Sequence, residues 1–179
     1  CSKAEIDFIN ESVEPSSFPL VVHLIVNATC TCRIVGENQM GITIFARGKI
    51  DRIKDIPLLI EDVRQFAGES KWTHHVIDED FDAPADAVLT HRNSDEPGCI
   101  IEGSLGVKGL ILSVGHGVES FAILFARSGT LTDMMHQVSW IHNKGQGERF
   151  TACKTQFGNI DAHIRVIELF DLLKKKYIS

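Results

Sequence analysis

The sequence contains no apolar run long enough to cross a membrane. Its longest such run, Leu20 to Val26, is interrupted by His23, whereas a membrane-spanning helix needs about 20 predominantly apolar residues. The pattern of a secretory signal peptide, a basic start followed by an apolar segment and a small-residue cleavage site, is also missing. These two absences predict a soluble protein with no membrane partner.

Positive charge is scarce in this chain. It has 18 Lys and Arg residues against 24 Asp and Glu residues, which gives a formal net charge of −6. A surface that binds nucleic acid or anionic lipid usually carries an excess of basic residues. We therefore expect no nucleic-acid partner.

Cysteine occurs in an odd number, five, at irregular spacings. Five cysteines cannot all pair, whereas small extracellular domains stapled by disulfides typically carry an even number. The count favours a reducing compartment, and we predict a cytoplasmic location.

Sequence motifs for cofactors and metals are missing as well. The glycine-rich segment Gly103 to Gly109, "GSLGVKG", lacks the ending of a phosphate-binding P-loop, and no dinucleotide-binding fingerprint occurs. The acidic run Asp78 to Asp86 lacks the spacing of an EF-hand calcium loop. The Cys-x-Cys pair that begins at Cys30 and the His-His pair that begins at His74 do not have the spacing of zinc ligands. We predict no cofactor and no metal ion.

Apolar residues are abundant enough, at 44% of 179 residues, to form the core of one domain. Residues 1–179 are therefore predicted to be a single globular domain. Residues 51–67 and 159–177 have apolar residues at three- and four-residue spacing, which is typical of amphipathic helices. Pro57 offers an alternative start for the first helix, with Asp55 as its cap. The predicted apolar stripe of the second helix is Ile160, Ile164, Ile167, Phe170 and Leu173.

Other apolar segments lack helical spacing and predict β-strands. They are "FPLVVHLIVNA", "MGITIFARG", "KWTHHVIDED", "VKGLILSV", "ESFAILFA" and, more weakly, "ERFTACKTQFG". The segment "APADAVLTHRN" is instead predicted to form a short helix. Together these elements predict an α/β or α+β domain, in which the helices 51–67 and 159–177 cover a mixed or antiparallel sheet. The predicted core is Val22, Leu24, Val26, Ile44, Ile60, Val63, Leu110, Leu112, Ile123, Phe125, Val138, Trp140, Ile167 and Phe170.

Two stretches of the chain resemble each other. "ITIFARGKID" at Ile42 to Asp51 and "AILFARSGTLTD" at Ala122 to Asp133 both place an apolar strand and "FAR" before a glycine and a helix start. The repeat suggests an internal duplication with a period near 80 residues, although three shared letters also arise by chance.

The segment "GHG" is the most unusual local feature, because His116 stands between Gly115 and Gly117 directly after an apolar strand. One interpretation is a β-hairpin turn, since glycine readily adopts the positive φ angles of such turns. We expect at least one of the two glycines to have a positive φ angle.

In the hairpin interpretation, "HQVSWIHNKGQGERFTACK" forms a second hairpin, and Cys153 is a small apolar residue of the core. The same residues also allow Thr132 or Asp133 to cap a helix that begins "DMMHQV". An antiparallel sheet with helices on one side is the arrangement of PAS-, GAF- and roadblock-like modules. It predicts a non-enzymatic domain that binds a ligand, a protein or a peptide in a sensory or adaptor role.

The second interpretation is catalytic. Glycine neighbours leave the ring of His116 open to a substrate, and a neutral imidazole is an effective general base near pH 7. Cys153 follows in "FTACKTQFG", 37 residues further on. A histidine that activates a cysteine thiol forms a dyad able to attack a carbonyl group.

These motifs resemble the caspase-like cysteine peptidases, including the CHAT domains. In that group an apolar strand ends in His-Gly, and a later strand ends in Ala-Cys, as at His116–Gly117 and Ala152–Cys153 here. The resemblance covers roughly Leu20 to Gly158. It implies His116 as the base, Cys153 as the nucleophile, and the backbone N–H groups of Cys153 and Gly117 as the oxyanion site. It leaves open which of the two interpretations holds, and the binding domain is the one we prefer.

Overall fold

The structure is a computed structural model that describes residues 21–25, 29–33, 43–91, 99–115, 117–155 and 158–179. For residues 21–25, 29–33, 91 and 99 the description is limited to the backbone. The predicted core residues Val22 and Leu24 therefore have no described side chains, and Val26 and His116 lie outside the described residues.

Ten strands and three helices are present among the described residues. In chain order the first strands are β1 (Val21–Ile25), β2 (Thr29–Arg33) and β3 (Thr43–Ala46), followed by a 3-10 turn (Ile53–Asp55), α1 (Ile56–Glu69) and β4 (Thr73–Asp78). Next come β5 (Val88–His91), β6 (Cys99–Glu102), β7 (Val107–Ser113) and β8 (Phe121–Ala126). The chain closes with β9 (Leu131–Thr132), α2 (Met134–His142), β10 (Thr151–Lys154) and α3 (Ile160–Lys176).

All described strand pairs are antiparallel. The central sheet has the order β4-β7-β8-β9, and β10 pairs with β3, with Cys153 opposite Ile44. β1 pairs with β2, and β5 pairs with β6, as two further hairpins. Next to the central sheet, the Thr151 hydroxyl donates a hydrogen bond to the carbonyl of Ala122 in β8. The fold is an α+β domain, which confirms the predicted class.

β8 is buried on both of its faces because its six residues "FAILFA" are all apolar. Side chains alternate between the two faces of a strand. Phe121, Ile123 and Phe125 pack in one core cluster with α1 and α3. Ala122 and Leu124 pack in a second cluster, against Val138 of α2. The helices therefore lie on both faces of the sheet, and the expectation of helices on one side was wrong.

The two long helices are where the sequence predicts them, with adjusted bounds. α1 begins at Ile56, after Asp55 and with Pro57 in its first turn, as the alternative start predicts. α3 is capped by Asn159, whose side chain accepts a hydrogen bond from the Ala162 N–H at 2.8 Å. Its predicted apolar stripe is wrong in the first two turns, since Ile160 is 74% exposed. The buried positions of α3 are Val166, Leu169, Phe170 and Leu173.

Two local predictions were wrong. Residues 88–91 form the strand β5 rather than a helix, because they pair with β6. Residues 134–142 form the helix α2 rather than the hairpin arm of the first interpretation, and the alternative, a helix capped by Thr132 or Asp133, is confirmed with Asp133 as the N-cap. The capping bond from the His136 N–H to Asp133, at 2.8 Å, is local to the helix start and requires no partner strand.

The β7–β8 hairpin agrees with the glycine prediction, since Gly115 and Gly117 have φ angles of 120° and 81°. Of the other predicted core residues, Ile60 and Ile167 are partly buried against the first cluster, whereas Trp140 is half-buried and belongs to neither core cluster, so its prediction as a core residue was wrong. Among the described residues, no helix combines the length and apolar composition needed to span a bilayer. The described residues do not test the internal duplication, which stays a prediction.

Candidate functional site

An open groove of about 690 Å³ lies on the α2 face of the sheet, at the end of β8. One wall is the loop after β4, where Phe81, Ala83 and Ala85 contribute apolar surface. The opposite wall is α2 and the turn that follows it. A volume of this size falls within the range of about 300–1,000 Å³ that is typical of small-molecule sites.

α2 contributes Gln137, Trp140 and Ile141 to the groove. These residues are three and four positions apart, so they share one face of the helix. Val138, one position along, is buried in the core cluster between α2 and the sheet. The helix is thus held by its core residues while the adjacent positions face the groove.

Gln137 is the buried polar residue of this wall, with only 4% of its surface exposed. Its Nε2 donates a hydrogen bond to the carbonyl of Leu105 at 2.9 Å. Its Oε1 is buried and has no hydrogen-bond partner among the described residues. A buried acceptor without a donor costs about 1–3 kcal/mol.

Arg149 reaches the groove from the segment between α2 and β10. Its guanidinium carbon lies 4.1 Å from the centre of the Trp140 ring, and its Nη2 donates to the Ser128 hydroxyl at 3.1 Å. Partial burial lowers the pKa of Arg149 because it disfavours the charged form. Neither contact neutralises its charge.

Two further cations line the groove. Arg127 is paired with Asp82 at 3.0 Å and also donates to the carbonyl of Phe81 at 3.1 Å. Lys144 lies in the turn after α2 with a left-handed φ angle of 52°. No carboxylate side chain is among the described residues that line the groove, so its local charge is positive.

Gly106 allows the loop that carries Ala85 to pack closely against the start of β7, because it has no side chain. It has a φ angle of 64°, and a Cβ at this position would lie 3.1 Å from the Cβ of Ala85. A side chain there would strain the backbone and push the loop that carries Ala83 and Ala85. The small residues of this loop therefore leave the groove open.

The predicted nucleophile Cys153 lies elsewhere, near the start of β8. Its side chain is fully buried, and its Sγ lies 3.8 Å from the carbonyl oxygen of Glu119. Burial raises the pKa of the Cys153 thiol to about 12, and the Glu119 carboxylate adds to the rise. A buried, neutral thiol is a weak nucleophile.

The fold nevertheless brings Cys153 next to the connection that carries Gly117. Besides the Sγ contact, the Glu119 N–H donates to the carbonyl of Lys154 at 3.0 Å. The second member of the dyad, His116, lies outside the described residues, so its distance from Cys153 is not part of the structure. The His116–Cys153 dyad, with Gly117 in the oxyanion site, stays a prediction.

The histidines with described side chains do not assemble with other metal ligands. His74 and His75 are exposed on β4, where the Arg64 Nε donates to His74 at 3.3 Å. The side chains of Cys30 and Cys32 are outside the description. Among the residues with described side chains, no group of three or more His, Cys, Asp or Glu residues could hold a metal ion.

Sequence reasoning missed the residues of the groove. One signal was available: Met134, Gln137, Val138 and Ile141 have the spacing of the buried face of a helix, and Gln137 is the polar member. Arg127 and Arg149 gave no signal, because isolated arginines in loops are common on protein surfaces. Only the fold brings them to one groove.

Comparisons with known proteins do not add to this geometry. A scan against protein-family models, a search of curated proteins and a search of solved structures each found no match. The resemblance to the caspase-like cysteine peptidases therefore stays a prediction.

Proposed function

We propose that this protein is a non-enzymatic binding domain that holds a small molecule in the groove between α2 and the loop after β4. The observation that carries the proposal is the groove of about 690 Å³, in which apolar side chains lie beside Arg149. The guanidinium of Arg149 is held by the Trp140 ring and the Ser128 hydroxyl. Apolar walls with a few polar groups are the usual construction of such sites.

The groove supports binding rather than catalysis. The described residues that line it include no histidine, no cysteine and no carboxylate. Ser128 and Lys144 belong to residue types that can act as nucleophiles, but the described residues give neither of them a histidine or carboxylate partner that would activate it. The protein or peptide partner and the cytoplasmic location expected from the sequence stay predictions.

The two tryptophans of the chain provide a direct test. Trp140 lines the groove, whereas Trp72 is 8% exposed and packs in the core cluster of α1 and α3. We expect small aromatic fragments to shift the NMR signal of the Trp140 indole N–H and the side-chain amide signals of Gln137. The Trp72 indole signal serves as the internal reference and should not move.

A pair of variants locates the binding. Ala83→Trp adds a large ring to the groove wall and should abolish the fragment-induced shifts of Trp140. Gln65→Trp adds the same ring at an exposed position of α1, on the other face of the sheet, and should leave those shifts unchanged. Fragments that bind equally well to the Ala83→Trp protein, or that move only Trp72, would refute the proposal.

A further inference from the structure

The groove contains positive charge that the described protein residues do not balance. Among the described residues, only one of its three cations has a carboxylate partner, namely Arg127, which pairs with the exposed Asp82 at 3.0 Å. Arg149 and Lys144 have no carboxylate partner among the described residues. The chain as a whole has a net charge of −6, so this local excess runs against the overall sign.

Arg149 is held in a defined position. Stacking near the Trp140 ring and the bond to the Ser128 hydroxyl fix the guanidinium from two sides. A guanidinium has five N–H donors in a planar fork that matches the two oxygens of a carboxylate. Only one of these donors has an assigned partner among the described residues, so the fork is available to a bound anion.

Apart from Ser128 and Gln137, the rest of the groove is apolar. Phe81, Ala83 and Ile141 line it with hydrocarbon surface, which a fully charged or strongly hydrated ligand would not cover. Lys144 lies at the end of α2, beside Gly145, which also lines the groove. A ligand that satisfies both regions has one anionic group and a flat apolar body.

We propose that the ligand is a small aromatic carboxylate, whose carboxylate group binds Arg149 and Lys144 and whose ring lies between Phe81 and α2. This inference rests on the proposed binding function and adds the chemical class of the ligand. The ring of the ligand would cover the apolar walls, and its carboxylate would balance the charge of the two cations that have no carboxylate partner among the described residues.

The first experiment compares three probes on the full chain by following the Trp140 indole signal. Naphthoate carries both the ring and the charge, naphthamide carries the ring without the charge, and acetate carries the charge without the ring. We expect naphthoate to bind at least about tenfold more tightly than naphthamide, the effect of one charge-assisted hydrogen bond at a partly exposed site. Acetate should give no shift at the same concentration, and added salt should weaken naphthoate more than naphthamide.

The second experiment removes the cations one at a time. Arg149→Gln and Lys144→Gln should each abolish most of the preference for naphthoate over naphthamide, measured in each variant as the ratio of the two dissociation constants. Lys71→Gln is the matched control, because Lys71 also has a left-handed φ angle, 57°, in the turn after α1, and does not line the groove. It should leave the preference intact.

The outcomes separate the ligand class from the function itself. If naphthoate and naphthamide bind equally well at Trp140, and Arg149→Gln changes neither, the carboxylate class is wrong but the groove still binds small molecules. If acetate binds as tightly as naphthoate, the aromatic body is wrong. If neither aromatic probe binds, this inference fails, and the fragment experiment decides separately whether the groove binds any small molecule.

Discussion

Cys153 shows how position in the fold sets the chemistry of a residue. The sequence presents the same thiol in two ways, as a nucleophile beside His116 or as a small apolar side chain of the core. The structure gives it complete burial, a contact with a backbone carbonyl and a pKa raised to about 12. At neutral pH such a thiol is almost entirely protonated.

We predict that Cys153 reacts slowly with iodoacetamide in the folded protein at pH 7. The reason is that the thiolate is the reactive form, and burial both raises the pKa and blocks access. Mass spectrometry of the peptide that contains Cys153 should show alkylation only when denaturant unfolds the chain. His116→Ala should leave this rate unchanged.

The opposite result would favour the dyad. Rapid alkylation of folded Cys153 at neutral pH, lost on His116→Ala, would show that the histidine activates the thiol. It would also mean that the chain opens around β10 in solution.

At the scale of the element, α2 links the fold to the groove. Its buried residue Val138 packs against the sheet, and Gln137, Trp140 and Ile141 form a wall of the groove. Asp133 starts the helix with two contacts, from its Oδ1 to the His136 N–H and from its Oδ2 to the His136 ring, both at 2.8 Å. The groove therefore depends on how well the first turn of α2 is held.

We predict that Asp133→Ala lowers the free energy of unfolding by about 1 kcal/mol, the usual cost of losing a helix cap. It should also increase hydrogen exchange in the first turn of α2 and weaken fragment binding at Trp140. Urea denaturation and hydrogen-exchange NMR measure the two effects.

Asn159→Ala is the control for this prediction, because Asn159 caps α3 in the same way but does not line the groove. It should lower the stability by a similar amount and leave fragment binding unchanged. Equal loss of binding in the two variants would mean that α2 has no special role in shaping the groove.

At the scale of the whole molecule, two hydrogen bonds to Asp62, which we call the tether, join the C-terminal end of α3 to α1. The Tyr177 hydroxyl and the Lys176 ammonium both donate to Asp62, at 2.6 and 2.8 Å. These bonds lower the pKa of Asp62, and burial together with the bond to Asp62 raises the pKa of Tyr177 to about 12. The Tyr177 hydroxyl donates to a charged acceptor only when the Asp62 carboxyl is ionised and the Tyr177 phenol is protonated.

We predict that this tether makes stability depend on pH at both ends of the range. A lowered folded pKa means that the contribution of Asp62 is present at neutral pH and is lost as acid protonates the folded carboxyl. A raised folded pKa means that the contribution of Tyr177 is present below 10.0 and is lost as the pH rises towards about 12. Urea denaturation across the alkaline range should show this fall.

Tyr177→Phe isolates the alkaline part of this prediction. It should cost about 1 kcal/mol or less at neutral pH, because the pair is partly solvated, and it should make the alkaline fall shallower. Cys153, whose pKa is also raised, should account for part of the fall that remains. Since Tyr177 is the single tyrosine of the chain, its ionisation is visible by ultraviolet absorbance, and an ordinary pKa there would contradict the prediction.

Sequence patterns were sufficient where local physics decides the structure. The spacing of apolar residues predicted α1 and α3, and the glycines around His116 predicted the turn between β7 and β8. Sequence patterns were insufficient where contacts with another element of the fold set the local structure or the burial of a residue. Residues 88–91 are a strand because β6 lies beside them, and Ile160 is exposed because the core does not extend to the start of α3.

The sequence by itself predicted an α/β or α+β class and two long helices, and it offered a hairpin at "GHG" as one of two interpretations, because those features follow from residue spacing and backbone preference. The tertiary structure alone decided the burial of Cys153 and the groove at α2. Burial and charge balance depend on residues far apart in the chain. Arg149, Trp140 and Phe81 become neighbours only when α2 packs on one face of the sheet and leaves a gap beside the loop after β4.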